Sequence, residues 1–229
     1  MTDTPPESDP VAPSNGDATD DLVSHPVPDA VREALGGSSR SPADPSADPP
    51  ADPLADPAAG WTLRITTSTG VDLDSAPDQA TDSEDDAGDS VTVTYDDLAA
   101  LPHETFSGDF SCLEGWTATD LTWRGVRVGR LLEATVGARD GGSHALVRAM
   151  DGEYACAFPI DRLSESVLAL ELDGEPLPVE HGGPARLVPP GEDADCWRSV
   201  KWVAAIEVTA EPPTEADTAR EIALSRVDG

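Results

Sequence analysis

The chain is 229 residues long, enough for one sizeable core, with 45 acidic against 14 basic side chains and a net charge of −31. That balance excludes a nucleic-acid binder, which needs a basic face to displace phosphate counterions. No apolar run reaches the roughly 18 residues of a membrane-spanning helix, and three scattered cysteines make no disulfide framework.

The start, Met1-Thr2-Asp3-Thr4-Pro5-Pro6-Glu7, lacks the basic residues and apolar run of a secretory signal, and no twin-Arg pair lies near it. The expectation is a cytoplasmic, thiol-reduced chain. One Lys (Lys201) against 13 Arg, with abundant Asp and Glu, resembles the composition of proteins from salt-loving microbes. Its plain meaning is a solvated surface kept soluble by like charge. The charge is uneven: residues 106–210 hold 9 of the 14 basic side chains and four of the five Trp, which marks that stretch as the functional core.

Residues 1–60 are rich in Pro, Asp, Ser and Ala, with a Pro every fourth residue at Pro45, Pro49, Pro53 and Pro57. Each Pro removes a backbone donor and disfavours helix at the residue before it, so the segment is expected to be an extended, disordered tail. A short helix over Asp29–Leu35, ended by Gly36-Gly37, is the exception. The main domain is expected over 61–210.

Trp61 to Thr67 alternates apolar and polar residues, a half-buried strand with Trp61, Leu63 and Ile65 inward. Residues 71–90 carry eight acids and read as a flexible insertion; their spacing lacks the central Gly and terminal Glu of a calcium loop. Val91-Thr92-Val93 is a strand, and Thr94 caps a helix over Tyr95–Leu101 with Asp96 and Asp97 in its first turn. Phe106–Cys112 is strand-like, and Gly125–Val128 feeds a helix through Val136 whose apolar face is Leu131, Leu132 and Val136.

His144–Ala149 and Tyr154–Phe158 flank Asp151-Gly152, a hairpin signal, and Val167–Leu172 with Asp173-Gly174 gives another. Ala185–Pro189 and Val200–Val208 close the domain. Residues 211–229 form a polar, peripheral tail with a frayed helix over Thr214–Leu224. Many strands, few short helices and frequent turns imply an α+β domain with mixed sheets.

Cys112 is the residue most open to chemistry, although a single Cys is by itself more often a small buried hydrophobe. Around it the order is Asp109-Phe110-Ser111-Cys112-Leu113-Glu114-Gly115-Trp116, then Leu121-Thr122-Trp123-Arg124-Gly125-Val126. Farther on come His181-Gly182-Gly183-Pro184-Ala185-Arg186 and Arg198-Ser199-Val200-Lys201-Trp202. In this order the segments resemble the molybdopterin-binding domain of the sulfite-oxidase family, which includes the catalytic subunit of periplasmic methionine-sulfoxide reductases. The resemblance covers residues 61–210, most closely 106–210.

The resemblance implies a molybdenum–molybdopterin cofactor, with Cys112 as thiolate ligand to the metal and as the catalytic residue. A soft anionic sulfur suits a metal that changes oxidation state while bound. By position, His181 and Arg186 match the family's cofactor contacts, as do Ser199, Val200 and Lys201 before the final strand. Cationic and backbone donors suit a phosphate and a polar pterin ring. Arg148 is open to two readings: a cofactor or substrate contact, or a pair with Glu153 across its hairpin. Cys156 reads as packing beside Tyr154 and Phe158. A zinc site from Cys112, Cys156 and Cys196 lacks the short paired spacings of structural zinc.

Two departures stand out. No segment before Trp61 matches the N-terminal Asn/Tyr-containing cofactor contact of the periplasmic reductases. The stretch Glu192-Asp193-Ala194-Asp195-Cys196 puts three acids where the family carries Gly and aromatic residues, which disfavours an anionic substrate.

The resemblance implies an oxidoreductase that transfers an oxygen atom to or from a small molecule, such as a sulfoxide or sulfite. A separate electron-transfer partner is expected, since the sequence holds no Cys-x-x-Cys-His haem motif. The alternative is a non-catalytic molybdopterin-binding or carrier module whose loop 192–196 no longer serves a substrate.

Overall fold

The computed structural model describes residues 22, 26–36, 58–67, 90–111, 117–136, 142–191 and 196–227. Cys112 and the acids Glu192, Asp193 and Asp195 lie outside them, as does the acidic stretch 71–89.

Among the described residues, ten strands and five short α-helices make an α+β fold of two five-stranded sheets. The first sheet contains β1 (Thr62–Thr67), β2 (Ser90–Thr94), β5 (His144–Ala149), β6 (Ala155–Pro159) and β10 (Val203–Thr209), in the order β2-β1-β10-β5-β6. It is mixed, because β1 runs parallel to β10 while its other pairs are antiparallel. The second contains β3 (His103–Ser111), β4 (Thr117–Arg127), β7 (Val167–Leu172), β8 (Glu175–Pro176) and β9 (Arg186–Val188). Its path is β3-β4-β7-β8, with β9 also paired to β7, and all its pairs are antiparallel.

Local sequence explains most of these elements. The alternation read in β1 holds: Trp61, Leu63 and Ile65 are buried, and the Trp61 indole N–H donates to the Val203 carbonyl at 3.0 Å. Thr94 caps helix α2 (Tyr95–Ala99) through a capping box. Its hydroxyl accepts from the Asp97 N–H, while the Asp97 carboxylate accepts from the Thr94 N–H. Both hairpin signals are realised. Gly152 has φ +77°, and Asp173 and Gly174 have φ +51° and +87°, the left-handed pair that a two-residue hairpin turn requires.

Three expectations need correction. Strand β4 runs as far as Arg127, so Gly125 belongs to a strand and not to a helix entry; helix α3 is Val128–Thr135. The reason is tertiary: β7 lies so close that a Cβ at Gly125 would sit 2.0 Å from the Leu168 carbonyl oxygen. The solvated-tail reading of residues 1–60 does not extend to helix α1 (Asp29–Gly36), because Val27, Val31 and Leu35 are buried in the main core. Leu22 is buried in the second core with Phe110, Trp123 and Val188. At the other end, helix α5 (Ala219–Val227) is mostly solvent-facing over its described side chains, with Ala219 fully buried. The Arg148–Glu153 pair is not formed among the described residues; the Arg148 guanidinium pairs with Glu207 of the neighbouring strand at 2.6 Å.

Among the described residues no helix is long and apolar enough to cross a membrane. Cys156 is buried in the main core, as packing predicts, whereas Cys196 packs on the second. The strand and cap geometry can be tested by substitution. Gly125→Ala should lower stability by about 1–3 kcal/mol in urea unfolding, because backbone and not a mobile side chain blocks the new methyl. Thr94→Ala should cost about 1 kcal/mol in the same measurement, through loss of the cap.

Candidate cofactor site

The two sheets meet where the chain passes from β9 to β10. Before β9, a one-turn 3-10 helix (Val179–His181) ends at Gly182, whose φ of +103° is left-handed. A cis Gly183–Pro184 bond follows. Both glycines are dictated by space. A Cβ on Gly183 would sit 2.0 Å from the Leu177 carbonyl oxygen, and one on Gly182 would press on Lys201 at 2.8 Å.

Residues 182–187 are laced to 199–203 by backbone bonds. Trp202 N–H donates to Gly182, Val203 N–H to Ala185 and Leu187 N–H to Val200, each at 2.9 Å. Trp202 carries the strain of this crossing: a bulky residue at φ +51°, 6% exposed, its indole N–H donating to the Val179 carbonyl.

This lacing brings His181, Arg186, Ser199, Val200 and Lys201 together. Arg186 is 3% exposed. Its Nε donates to Ser199 Oγ at 2.8 Å and one terminal nitrogen donates to the His181 carbonyl at 3.0 Å. The guanidinium lies 4.9 Å from the Phe110 ring centroid and 5.1 Å from that of Trp123, so two aromatic rings help offset its lost hydration. The Ser199 hydroxyl is fully engaged, accepting from Arg186 and donating to the Leu187 carbonyl at 2.8 Å. Val200 is fully buried. Lys201 donates from Nζ to the Glu180 carbonyl at 3.2 Å.

His181 is buried, and its Nδ1 has no hydrogen-bond partner among the described residues. Burial holds its pKa below the usual histidine value, and the Lys201 and Arg186 charges depress it further against a weaker opposing pull from Glu180. Arg186 and Lys201 thus both act on a buried imidazole whose charged form is disfavoured, in a chain of net −31.

The sequence pattern selects these five residues but not what fixes them. Phe110 and Trp123, on β3 and β4, form the aromatic box around Arg186; both stand in the motif segments with no role that their spacing reveals. The Glu180 carbonyl, which holds Lys201, carries no side-chain signal that a sequence displays. Among the described residues no group of three or more His, Cys, Asp or Glu is placed to hold a metal ion.

The family model for the oxidoreductase molybdopterin binding domain matches residues 83–216. The chain is 34% identical over 123 residues to the uncharacterized oxidoreductase YuiH of Bacillus subtilis (strain 168), covering 53% of this chain and 60% of that protein. It is 29% identical over 153 residues to the mitochondrial sulfite oxidase of Mus musculus, covering 54% of this chain and 28% of that one. The chain thus spans less than two thirds of the length of these relatives. The sulfane dehydrogenase SoxCD from Paracoccus pantotrophus shares the fold, at a TM-score of 0.53 and 20% identity over 68% of this chain and 40% of that one. The chain belongs to the oxidoreductase molybdopterin-binding domain family, that of the sulfite oxidases, whose cofactor is molybdenum–molybdopterin.

Proposed function

We propose that the protein is a molybdenum-dependent oxidoreductase that transfers an oxygen atom between a small molecule and a mononuclear centre ligated by Cys112. The observation that carries this reading is the turn on which the buried Arg186, the half-buried Lys201 and the buried imidazole of His181 converge, in a chain whose net charge is −31.

The turn fits a phosphorylated cofactor with a polar ring. The buried Nδ1 of His181 lacks a partner among the described residues, so a ligand atom there would relieve a desolvation cost. Lys201 offers an ammonium to a phosphate, Arg186 adds a fixed charge from below, and the backbone of Ser199–Lys201 supplies further polar groups. Strand β3 ends at Ser111, one peptide bond before Cys112, and Phe110 on that strand faces Arg186. When bound, the molybdenum supplies two-electron oxygen-transfer chemistry, which side chains lack.

The acids Glu192, Asp193 and Asp195 favour a neutral substrate such as a sulfoxide over anionic sulfite. Resetting the metal falls to an electron carrier outside this sequence, which has no Cys-x-x-Cys-His motif. The same acids support a second reading, a molybdopterin-binding or carrier module without turnover.

Protein made in a host that synthesises molybdopterin should contain about one molybdenum per chain by mass spectrometry, as a single protein thiolate ligand requires. A metal-free product overturns the reading. Cys112→Ser should lower dye-linked turnover by more than the roughly 10–100-fold typical of losing an outer-shell partner; wild-type metal content together with wild-type turnover in that variant removes the ligand assignment. Loaded protein that reduces no sulfoxide and oxidises no sulfite supports the carrier reading.

His181 should be neutral at pH 7, with an NMR titration midpoint below the ordinary value of 6.5. Its folded pKa is depressed, so between the two midpoints the unfolded chain binds the extra proton. Stability is then lost as pH falls from about 6.5 toward the folded midpoint. His181→Gln should flatten that part of the urea-midpoint profile, on the acid side of about pH 7.

A further inference from the structure

We propose that Tyr154 is a positioning residue for the cofactor cradle, acting through the 3-10 turn Cys196–Arg198 and held by Thr218 near the C-terminus. The inference rests on the proposal that Ser199–Lys201 hold the cofactor.

The turn Cys196–Arg198 is three residues long and leads directly into Ser199, whose N–H donates to the Cys196 carbonyl at 3.1 Å. So short a 3-10 segment has too few internal bonds to fix its own orientation. It is docked from outside. The Tyr154 hydroxyl donates to the Trp197 carbonyl at 2.7 Å, and the Arg198 guanidinium lies 6.0 Å from the ring centroid of Phe158 on β6. Helix α5 also packs against the turn.

Tyr154 is itself locked on both sides. The Asp151 carboxylate accepts from the N–H groups of Glu153 and Tyr154 at 3.0 and 2.9 Å. The Thr218 hydroxyl donates to the Glu153 carbonyl at 2.6 Å and accepts from the Ala155 N–H at 3.0 Å, while the Thr218 N–H donates to the Ala155 carbonyl at 3.0 Å. Thr218 therefore bridges the residues before and after Tyr154. It lies beyond the stretch 83–216 matched by the family model.

The chain of bonds runs from Thr218 to the backbone of Glu153 and Ala155 on either side of Tyr154, through the Tyr154 hydroxyl to Trp197, and on to Ser199. The Ser199 hydroxyl then receives Arg186. Loss of the Tyr154 hydroxyl leaves the fold intact and lets the turn relax. Ser199 and Arg186 then lose their fixed distance from His181 and Lys201. Such a device suits a cradle in which cations must be held against mutual repulsion.

Two readouts on the full-length chain test this. In molybdenum-loaded protein, Tyr154→Phe and Thr218→Val should release molybdenum about fivefold faster than wild type, the effect of roughly one hydrogen bond. Thr218→Ser, which restores the hydroxyl, should release it near the wild-type rate. The double variant should release it no faster than the faster single variant, because both act on one chain of contacts.

In metal-free protein, the NMR midpoint of His181 should rise toward 6.5 in Tyr154→Phe as Arg186 loosens. Thr94→Ala, remote from the cradle, should leave both readouts unchanged. Wild-type release and an unshifted His181 midpoint in Tyr154→Phe overturn the proposal, as does a Thr94→Ala that matches Tyr154→Phe in either readout. A wild-type chain that takes up no molybdenum sinks the oxidoreductase reading instead, and the His181 measurement then decides the positioning role alone.

Discussion

Burying the Arg186 guanidinium at 3% exposure is the demand around which this molecule is arranged. A charged group removed from water must recover its hydrogen bonds and some of its solvation from fixed partners. Arg186 draws these from both halves of the fold: the His181 carbonyl from the turn before β9, Ser199 from the segment before β10, and the rings of Phe110 and Trp123 from β3 and β4. Four separate stretches of chain are thereby tied to one side chain. The glycine pair and the left-handed Trp202 are what the backbone needs to bring them that close.

The same arrangement separates local from global electrostatics. The surface of the chain is strongly acidic, which governs solubility and long-range attraction. Within the turn the nearby cations Arg186 and Lys201 act on His181 at short range, where salt screens buried groups such as Arg186 only weakly. The pKa of His181 is depressed first by burial and then by the Lys201 and Arg186 charges. A net charge of −31 is therefore compatible with binding an anionic group at one protected place.

Anchoring from the chain ends completes the site. Leu22 enters the second core beside Phe110 and Val188, and helix α1 covers the first. Thr218 stitches the C-terminal segment to the strand that carries Tyr154. Segments that are polar or Pro-rich overall thus contribute a few buried or bonded residues, which is how a small domain gains order around a site built from connecting turns.

Composition and local pattern determined the α+β class, the inward face of β1, the Thr94 cap and both hairpins, because alternation, capping and turn chemistry act over a few residues. The order of Cys112, His181, Arg186, Ser199 and Lys201 also singled out the candidate cofactor residues, since a recurring binding site leaves a motif in the chain. Tertiary structure alone decided that Gly125 lies in a strand, that Arg148 pairs with Glu207, and that the Ser199 hydroxyl faces Arg186. It also decided that residues 27–35 and Ala219 contribute to the core. Each of these depends on a neighbour far away in sequence, or on a backbone carbonyl that every residue type possesses. A charge such as that of Arg186 can be read from the chain, but the partners that make its burial tolerable are known only from the fold.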